Sequence, residues 1–390
     1  MGYYANQNKT ALAKVETTAG VDASPVVGTD AYAPENPVMP PDIQTIDTNE
    51  VTGSLDPKPA VAGGAKGNYT CGVYIKGSGT AGVKPDWGTL LRGCGMAQTQ
   101  TAAPVTGTAQ AGAASTITLA AGASAVNDFY KGMVITITGG TGSGQTRVIH
   151  GYAGSTKIAS IMPNWTTNPD GTSTYSVLAN ALYVPRSSGI ESLTLYDYLH
   201  NSDSGVNSKL RKMFGAQGDA NFTLPTAGIP KIDFSFQGKF VAPDDVAKPA
   251  APTLDSTRPA AFMSAQCYLD NQATKISQTT FGLGNQIEVD DDPSDAFGAD
   301  IAAILRRKIT GRINPPVALN SVRNAIADFL AGTSRKLWLQ YGSVAGNRIS
   351  ILMPQILYTG SEPEDNRGFA HEGIPFSAAG EDSGVYICIY

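Results

Sequence analysis

Apolar and polar side chains alternate along most of this chain with a period of two, the spacing that puts successive residues on opposite faces of a pleated strand. In "NYTCGVYIKGSG" (68–79), Tyr69, Cys71, Val73 and Ile75 share one face. Longer strands are predicted in "LYVPRSSGIESLTLYDYLH" (182–200) and "NFTLPTAGIPKIDFSFQGKFVAP" (221–243), with a bend near Gly238, where the apolar parity fails. "KISQTTFGLGNQIEVDD", "KLWLQYG", "NRISILMPQILYTG" and the closing "GVYICIY" continue the same pattern. Two stretches break it. In "KPDWGTLLRGCGM" (84–96), Pro85 and Asp86 open a short helix, Leu90 and Leu91 form its apolar side, and Gly93 or Gly95 ends it. "LNSVRNAIADFLAG" (319–332) predicts a second helix with Val322, Ile326 and Phe329 as core contacts.

Residues 1–60 carry seven prolines, Pro25, Pro34, Pro37, Pro40, Pro41, Pro57 and Pro59, which break helices and remove backbone donors. With "AKVETT" and "DIQTIDT" as short polar strands, this segment reads as an extended arm lying along something larger, such as a neighbouring subunit. From 107 to 178 the composition changes. Of those 72 residues only Asp128, Lys131, Arg147, Lys157 and Asp170 are charged, while "STITL", "MVITIT", "TRVIH", "TKIASI" and "STYSV" alternate between turn residues. This is a small all-β module set into a different chain, and an insertion of that kind needs its two ends close together.

The division expected is therefore residues 1–106 as arm and first half of the main body, 107–178 as inserted β module, 179–243 as the first half continued, 244–260 as linker, and 261–390 as second half. The halves rhyme: each has strands, one short helix, then a strand with Asn following a glycine turn, "GAQGDANFTLPTAG" and "GSVAGNRISILMPQ". Either this is an internal duplication or alternating strands rhyme by chance.

Composition agrees with a folded, strand-rich protein. Hydrophobic residues are 42% of the chain. Charged residues are 16%, against roughly 25% in ordinary soluble domains; Gly, Pro, Ser and Thr fill the difference. The net charge of −5, with no block of Lys or Arg, argues against a protein that grips nucleic acid, though not against one that lets DNA slide past. Cys71, Cys94, Cys267 and Cys388 form no CxxC pair and read as free thiols of a protein made in the cytosol. The N-terminus has no apolar signal core, and no apolar run is long enough to cross a membrane.

Gly139, Gly144, Gln145 and Thr146 nearly spell a phosphate-binding loop, but Gln replaces the lysine, and "TRVIHGYAG" supplies a strand where the loop needs a helix N-terminus. The glycines are expected to form a mobile hairpin tip, with Met133, Ile135 and Ile137 packing inward. His150, His200 and His371 have no second ligand at metal spacing, and Asp290, Asp291, Asp292 and Asp295 lack the Gly and closing Glu of a calcium loop. There is no GxSxG, and Glu362 and Glu364 in "SEPEDN" are expected in a surface loop. The sequence thus assigns no catalytic, cofactor-binding or metal-binding residue, no cofactor, and no enzymatic activity.

Several short stretches, taken in order, resemble the major tail tube protein of long-tailed bacteriophages: "LAKVETTAGVDASPV" with Lys14 and Glu16, "PDWGTLLRGCGM" with Leu90, Leu91, Cys94 and Gly95, "LYVPRSSGIESLTLYDYL" with Tyr183 and Pro185, and "FGAQGDANFTLPTAGIPKIDFSFQGKF" with its Gly215–Gly218 turn and aromatic strand. "TTFGLGNQIE", "TGRINP" and "GNRISILMPQ" extend the likeness through the second half. The insert resembles a small β module of phage virion proteins by "YKGM" before "GGTGSGQTRVI". The resemblance implies a tail-tube-type β-sandwich or barrel with short helices and extended arms. It implies a structural virion protein that self-assembles into stacked rings, trimeric and pseudo-hexameric if the halves are duplicated and hexameric otherwise. It also implies DNA passing through the lumen without specific binding, and tape measure, tail terminator and baseplate or distal tail proteins as partners. The insert would decorate the outside of a non-contractile tail, the protein being made in the host cytoplasm. A tail fibre or adhesin-like surface protein is the alternative.

Overall fold

In a computed structural model, which describes residues 2–56, 58–203 and 205–390, the chain is mainly β, with 50% of residues in strands and 3% in helices. The first series of elements is β1 (Tyr4–Val15), β2 (Ala31–Tyr32), β3 (Glu35–Val38), β4 (Pro41–Ile46), β5 (Val61–Tyr74), α1 (Gly88–Gly93) and β6 (Met96–Thr101). The insert follows as β7 (Val105–Thr108), β8 (Ala111–Ala113), β9 (Thr116–Thr118), β10 (Val134–Gly139), β11 (Thr146–Ala153), β12 (Ile158–Met162) and β13 (Thr174–Val177). The series resumes with β14 (Asn180–Pro185), β15 (Leu193–Asn201), β16 (Ser208–Pro225) and β17 (Lys231–Val246).

After it come β18 (Gln266–Leu269), β19 (Gln272–Ala273), β20 (Gln278–Gly282), β21 (Asn285–Asp291), β22 (Ala299–Arg307) and β23 (Thr310–Ile313). The last elements are α2 (Ala325–Ala331), β24 (Ser334–Tyr341), β25 (Ile349–Tyr358), β26 (Glu362–Asn366), β27 (Phe369–Ala378) and β28 (Tyr386–Ile389).

Pairing repeats across the two series. In the first, β2 lies on β1, β1 on β15, β15 on β16, β16 on β17, β17 on β5, and β5 on β3 and β4. In the second, β19 lies on β18, β18 on β24, β24 on β25, β25 on β27, β27 on β23, and β23 on β20. A short helix stands before β15 in one and before β24 in the other. The two series join where Asn221–Pro225 of β16 pairs antiparallel with β20.

Each series therefore folds its sheet over itself into two walls around a shared core. The inner wall (β3, β4, β5, β17, β16, β20, β23, β27 and β26) turns Tyr69, Val73, Phe222, Phe236, Phe281 and Phe376 inward. Leu193, Leu195, Leu337, Leu339 and Ile351 of the outer wall meet them. All are at most 3% exposed, and side chains of this size contribute about 1.5–3 kcal/mol each when fully buried. Phe222 and Phe281 stack across the joint at 4.4 Å between ring centroids, so the core is continuous through it.

The insert is one seven-stranded sheet in the order β7–β13–β10–β11–β12–β9–β8. It hangs from β6 and β14, neighbouring antiparallel strands whose Thr101 and Asn180 face each other. Its core of Ile117, Ile135, Ile137, Val148 and Ile161 runs on into Trp338, Leu352, Tyr386 and Cys388, which lie on the far side of the outer wall. Gly132 sits against Tyr386 with φ +84°, and an added Cβ would lie 2.5 Å from that ring. Only glycine gives both that backbone and that approach. The insert thus covers the side of the sandwich opposite the inner wall's outward face.

Five expectations need correction. The N-terminal segment is not simply an arm: Ala11 and Ala13 of β1 are buried in the core, and β1 pairs with β15 of the same chain. The second helix spans only Ala325–Ala331, and Val322, Ile326 and Phe329 are exposed, for reasons given below. Glu362 and Glu364 lie on strand β26, not in a loop. β17 runs on to Val246, so the proline- and alanine-rich stretch begins as strand paired with Ser208–Leu210. The glycine tip between β10 and β11 is pinned rather than loose: the Gln145 amide donates to the carbonyls of Gly142 and Thr167, and its oxygen accepts from the N–H of Thr166.

Candidate functional site

The outward face of the inner wall follows from strand parity. With Tyr69, Phe234, Phe236 and Phe222 turned to the core, the residues between them must face solvent. These are Asn68 and Thr70 on β5, Asp233, Ser235 and Gln237 on β17, Asn221 and Thr223 on β16, and across the joint Thr280, Thr310, Arg312 and Ser377. The face crosses from one series to the other without a break, and two shallow clefts open on it. One is lined by Asn221, Thr223, Thr280, Thr310 and Ser377, the other by Glu35, Thr70, Lys231, Asp233 and Ser235.

Its lining is mostly uncharged and polar, and its cations are matched. Lys231 lies 3.2 Å from Asp233, and Lys66 lies 3.6 Å from Asp291. Lys239 reaches Asp295 at 2.9 Å, and Arg312 forks between Glu362, at 2.8 Å, and Glu364. Such solvated pairs add little stability, but they leave little net positive charge on the face. Lys308, at the rim of the first cleft, and Arg367, in the β26–β27 turn, have no carboxylate beside them among the described residues.

Three surfaces are left unpartnered. The strand edges at either end of the inner wall are open: β26 pairs only with β27, and β3 and β4 only with β5, among the described residues. The β4–β5 hairpin stands away from the sandwich, with Ile43, Ile46 and Val61 each more than half exposed. The third is α2, which is built inside out. Its side chain–backbone cap is Asn324, whose oxygen accepts from the Ala327 N–H, and its C-cap Gly332 adopts φ 63°. Asp328, on the inner side, is held by Arg335 at 2.7 and 2.9 Å, and Arg335 also reaches Asp270. The polar side is thus fastened to the body, leaving Val322, Ile326, Phe329 and Leu330 in solvent. Helical period alone could not show which side faces in.

The positions weighed for chemistry are scattered. Gly139–Thr146 is a strand, a turn and the start of another strand, with Gly140, Gly142 and Gly144 at positive φ. His200 is buried between Thr10 (2.9 Å) and Ser208 (2.8 Å), and His371 contacts the Asn314 carbonyl at 2.7 Å. Asp292 and Asp295 accept from backbone amides of their own turn. The four cysteines are free and buried, and burial pushes the thiols of Cys71 and Cys267 up to about 12. Among the described residues no three His, Cys, Asp or Glu side chains gather to hold a metal, and no helix is long and apolar enough to cross a membrane.

Comparison with known proteins bears on the whole chain. A family model described as phage tail tube protein matches residues 6–378, nearly the full length and across the insert. No curated protein matches the chain.

Proposed function

We propose, from the premise that the chain belongs to the phage tail tube protein family, that its copies self-assemble into rings stacking into the tail tube through which genome DNA enters the host. Membership makes the protein a structural component of the virion tail. A tube component acts through its surfaces rather than through a reaction centre, so no catalysis is assigned to it.

The observation that carries this reading is the polar, charge-matched face of the inner wall. Set around a lumen, it presents hydroxyls and amides, with most cations already held by carboxylates. DNA binds proteins tightly by releasing counterions to free Lys and Arg; a face with few free cations lets it slide. The open edges support assembly, since exposed ladders are a hazard in a monomer and a joint in a ring. The insert, packed on the opposite wall, then stands on the outside of the tube as a decoration. An outer layer of that size would obstruct a contractile sheath, which favours a non-contractile tail. Tape measure, tail terminator and baseplate or distal tail proteins are the further partners this role requires, and synthesis is assigned to the host cytoplasm.

Negative-stain imaging of the purified protein tests the reading. Rings or tubes with outward knobs are expected. Spiky trimers would favour a tail fibre instead, and featureless globules at high concentration would overturn self-assembly.

A further inference from the structure

We propose that the insert has a function beyond decoration: it is the fixed cover of the seam where the outer walls of the two series meet, and the chain folds with it as one body. The inference concerns a single chain and stands whether or not copies form a tube.

The seam follows from pairing. The series join at β16·β20 on the inner wall, and they join a second time on the outer wall, where β28 lies between β14 and β25. Ala181, Leu182 and Tyr183 of β14 face Ile389, Cys388 and Ile387 of β28. Those three face Ile349, Ser350 and Ile351 of β25, and β24 extends the row beyond.

The sequences of these four strands match a sheet buried on both sides. A strand with one wet face alternates apolar and polar residues, as β17 does through Phe234, Ser235, Phe236 and Gln237. By contrast "ALYV" in β14, "VYICIY" around β28, "ISILM" in β25 and "LWL" in β24 are almost wholly apolar. Tyr183, Ile387, Ile389, Ile351 and Leu339 enter the sandwich core. The residues between them, Leu182, Tyr386, Cys388, Leu352 and Trp338, turn the other way into the core of the insert, and none is more than 7% exposed. The indole N–H of Trp338 donates to the Ser350 hydroxyl at 2.8 Å, so this face holds even its polar atoms in internal bonds.

The insert is fastened over that face. Gly132 meets the Tyr386 ring, and the Lys131 ammonium lies above the same ring, 5.7 Å from its centroid. At the rim the Asn164 N–H donates to the Asn271 side-chain oxygen at 3.0 Å. Its first and last strands, β7 and β13, pair with each other, and only residues 102–104 and 178–179 separate them from β6 and β14. Domains within a chain move relative to one another unless their interface is large and hydrophobic, and here the interface is a continuation of the core. Uncovered, Leu182, Leu352, Tyr386 and Trp338 would form an apolar strip across four strands, the kind of patch that drives aggregation. The insert therefore locks the outer joint while Phe222 and Phe281 lock the inner one, and the angle between the two series is set from both sides.

The cysteines of the unaltered protein test this. Cys388 lies under the insert, whereas Cys71, Cys94 and Cys267 lie in the sandwich core. With a thiol reagent and peptide mass spectrometry across a urea series, Cys388 should be modified only at the urea concentration that exposes Cys71 and Cys94. Modification of Cys388 while those two stay protected would show the insert lifting off alone and would overturn the proposal. As a second arm, Gly132→Ala pushes a methyl group into Tyr386. Its thermal melt should remain a single transition, lowered by several degrees, and amide exchange should speed up in β24, β25 and β28 as well as in the insert. Two separate transitions, or faster exchange confined to residues 105–177, would make the insert an independent domain and sink the idea.

Discussion

The Glu16 carboxylate accepts a hydrogen bond from the backbone N–H of Gly215 at 2.8 Å, tying the end of β1 to the bulge in β16. Glu16 is buried, and its oxygens also accept from the Gly20 N–H and from the hydroxyls of Ser192 and Thr194. Gly215 has φ 58°, and an added Cβ would lie 2.5 Å from Ile301 of the second series. One small cluster thus holds the first strand, the bulge and the hairpin that crosses the joint.

Glu16→Ala should destabilise the fold strongly, since it strands several buried donors at about 1–3 kcal/mol each. Glu16→Gln keeps one acceptor oxygen and should cost less. Gly215→Ala should lower the melting temperature as well, through left-handed strain and the collision with Ile301. Thermal melts followed by circular dichroism would rank the three. A Glu16→Ala melt matching the parent's would show that the cluster is dispensable.

A pH dependence is expected from Asp197. It is fully buried, 3.6 Å from Lys9 and 3.7 Å from Arg211. Burial raises its carboxyl above the ordinary value, outweighing the opposite pull of those two cations. A raised value means the folded state holds the proton more tightly than the unfolded chain, where Asp titrates near about 3.9. Its stabilising share is therefore complete below that value and is lost as pH rises through the folded one. Asp197→Asn should show a shallower fall in stability than the parent from about pH 4 upward. Identical slopes in paired denaturation series would exclude Asp197 as a titrating group.

Gln145→Lys would complete the phosphate-loop pattern from Gly139 to Thr146, yet it should bind no ATP. The phosphate amides of such a loop come from a helix N-terminus, and here β11 follows. The variant should also lose the Gln145 contacts to Gly142, Thr166 and Thr167, so amides of residues 140–145 should exchange faster. Calorimetric titration with Mg-ATP checks the first expectation and hydrogen exchange the second; micromolar ATP binding would contradict the strand reading.

The exposed side of α2 offers a clean separation of folding from assembly. Phe329→Ser with Leu330→Ser removes apolar surface that touches solvent, so monomer stability should change by no more than about 0.5 kcal/mol per site. If this surface is buried when rings stack, tube length in micrographs should fall while ring formation persists. Tubes of unchanged length would remove α2 from the stacking contact.

Much of the fold was legible because strand parity is a local property. The alternation of Tyr69, Cys71 and Val73 fixed which side of β5 is core, and the short helix at Leu90 and Leu91 ends at Gly93 as expected but begins at Gly88, after Pro85 and Asp86. The charge-poor stretch at 107–178 overlaps the separate seven-stranded sheet that runs from Val105 to Val177. What parity could not resolve was partnership. "SEPEDN" is polar throughout, and only the ladder to β27 makes it a strand. Val322, Ile326 and Phe329 have helical spacing, but Asp328, paired with Arg335 of the next strand and through it with the more distant Asp270, turns them outward.

By itself, then, the sequence determined local features: the alternation that marks strands such as β5, the charge-poor stretch at 107–178, and the absence of a lysine where a phosphate loop needs one. Those depend on neighbours a few residues apart. The tertiary structure decided which wall carries the charge-matched face, that the insert lies on the opposite wall, and that β26 stands as an open edge of the inner wall. Such relations depend on ladder register between strands that can lie far apart in sequence, as where Tyr69 of β5 pairs with Phe236 of β17, and a register is settled only when both strands and the core beneath them are in place.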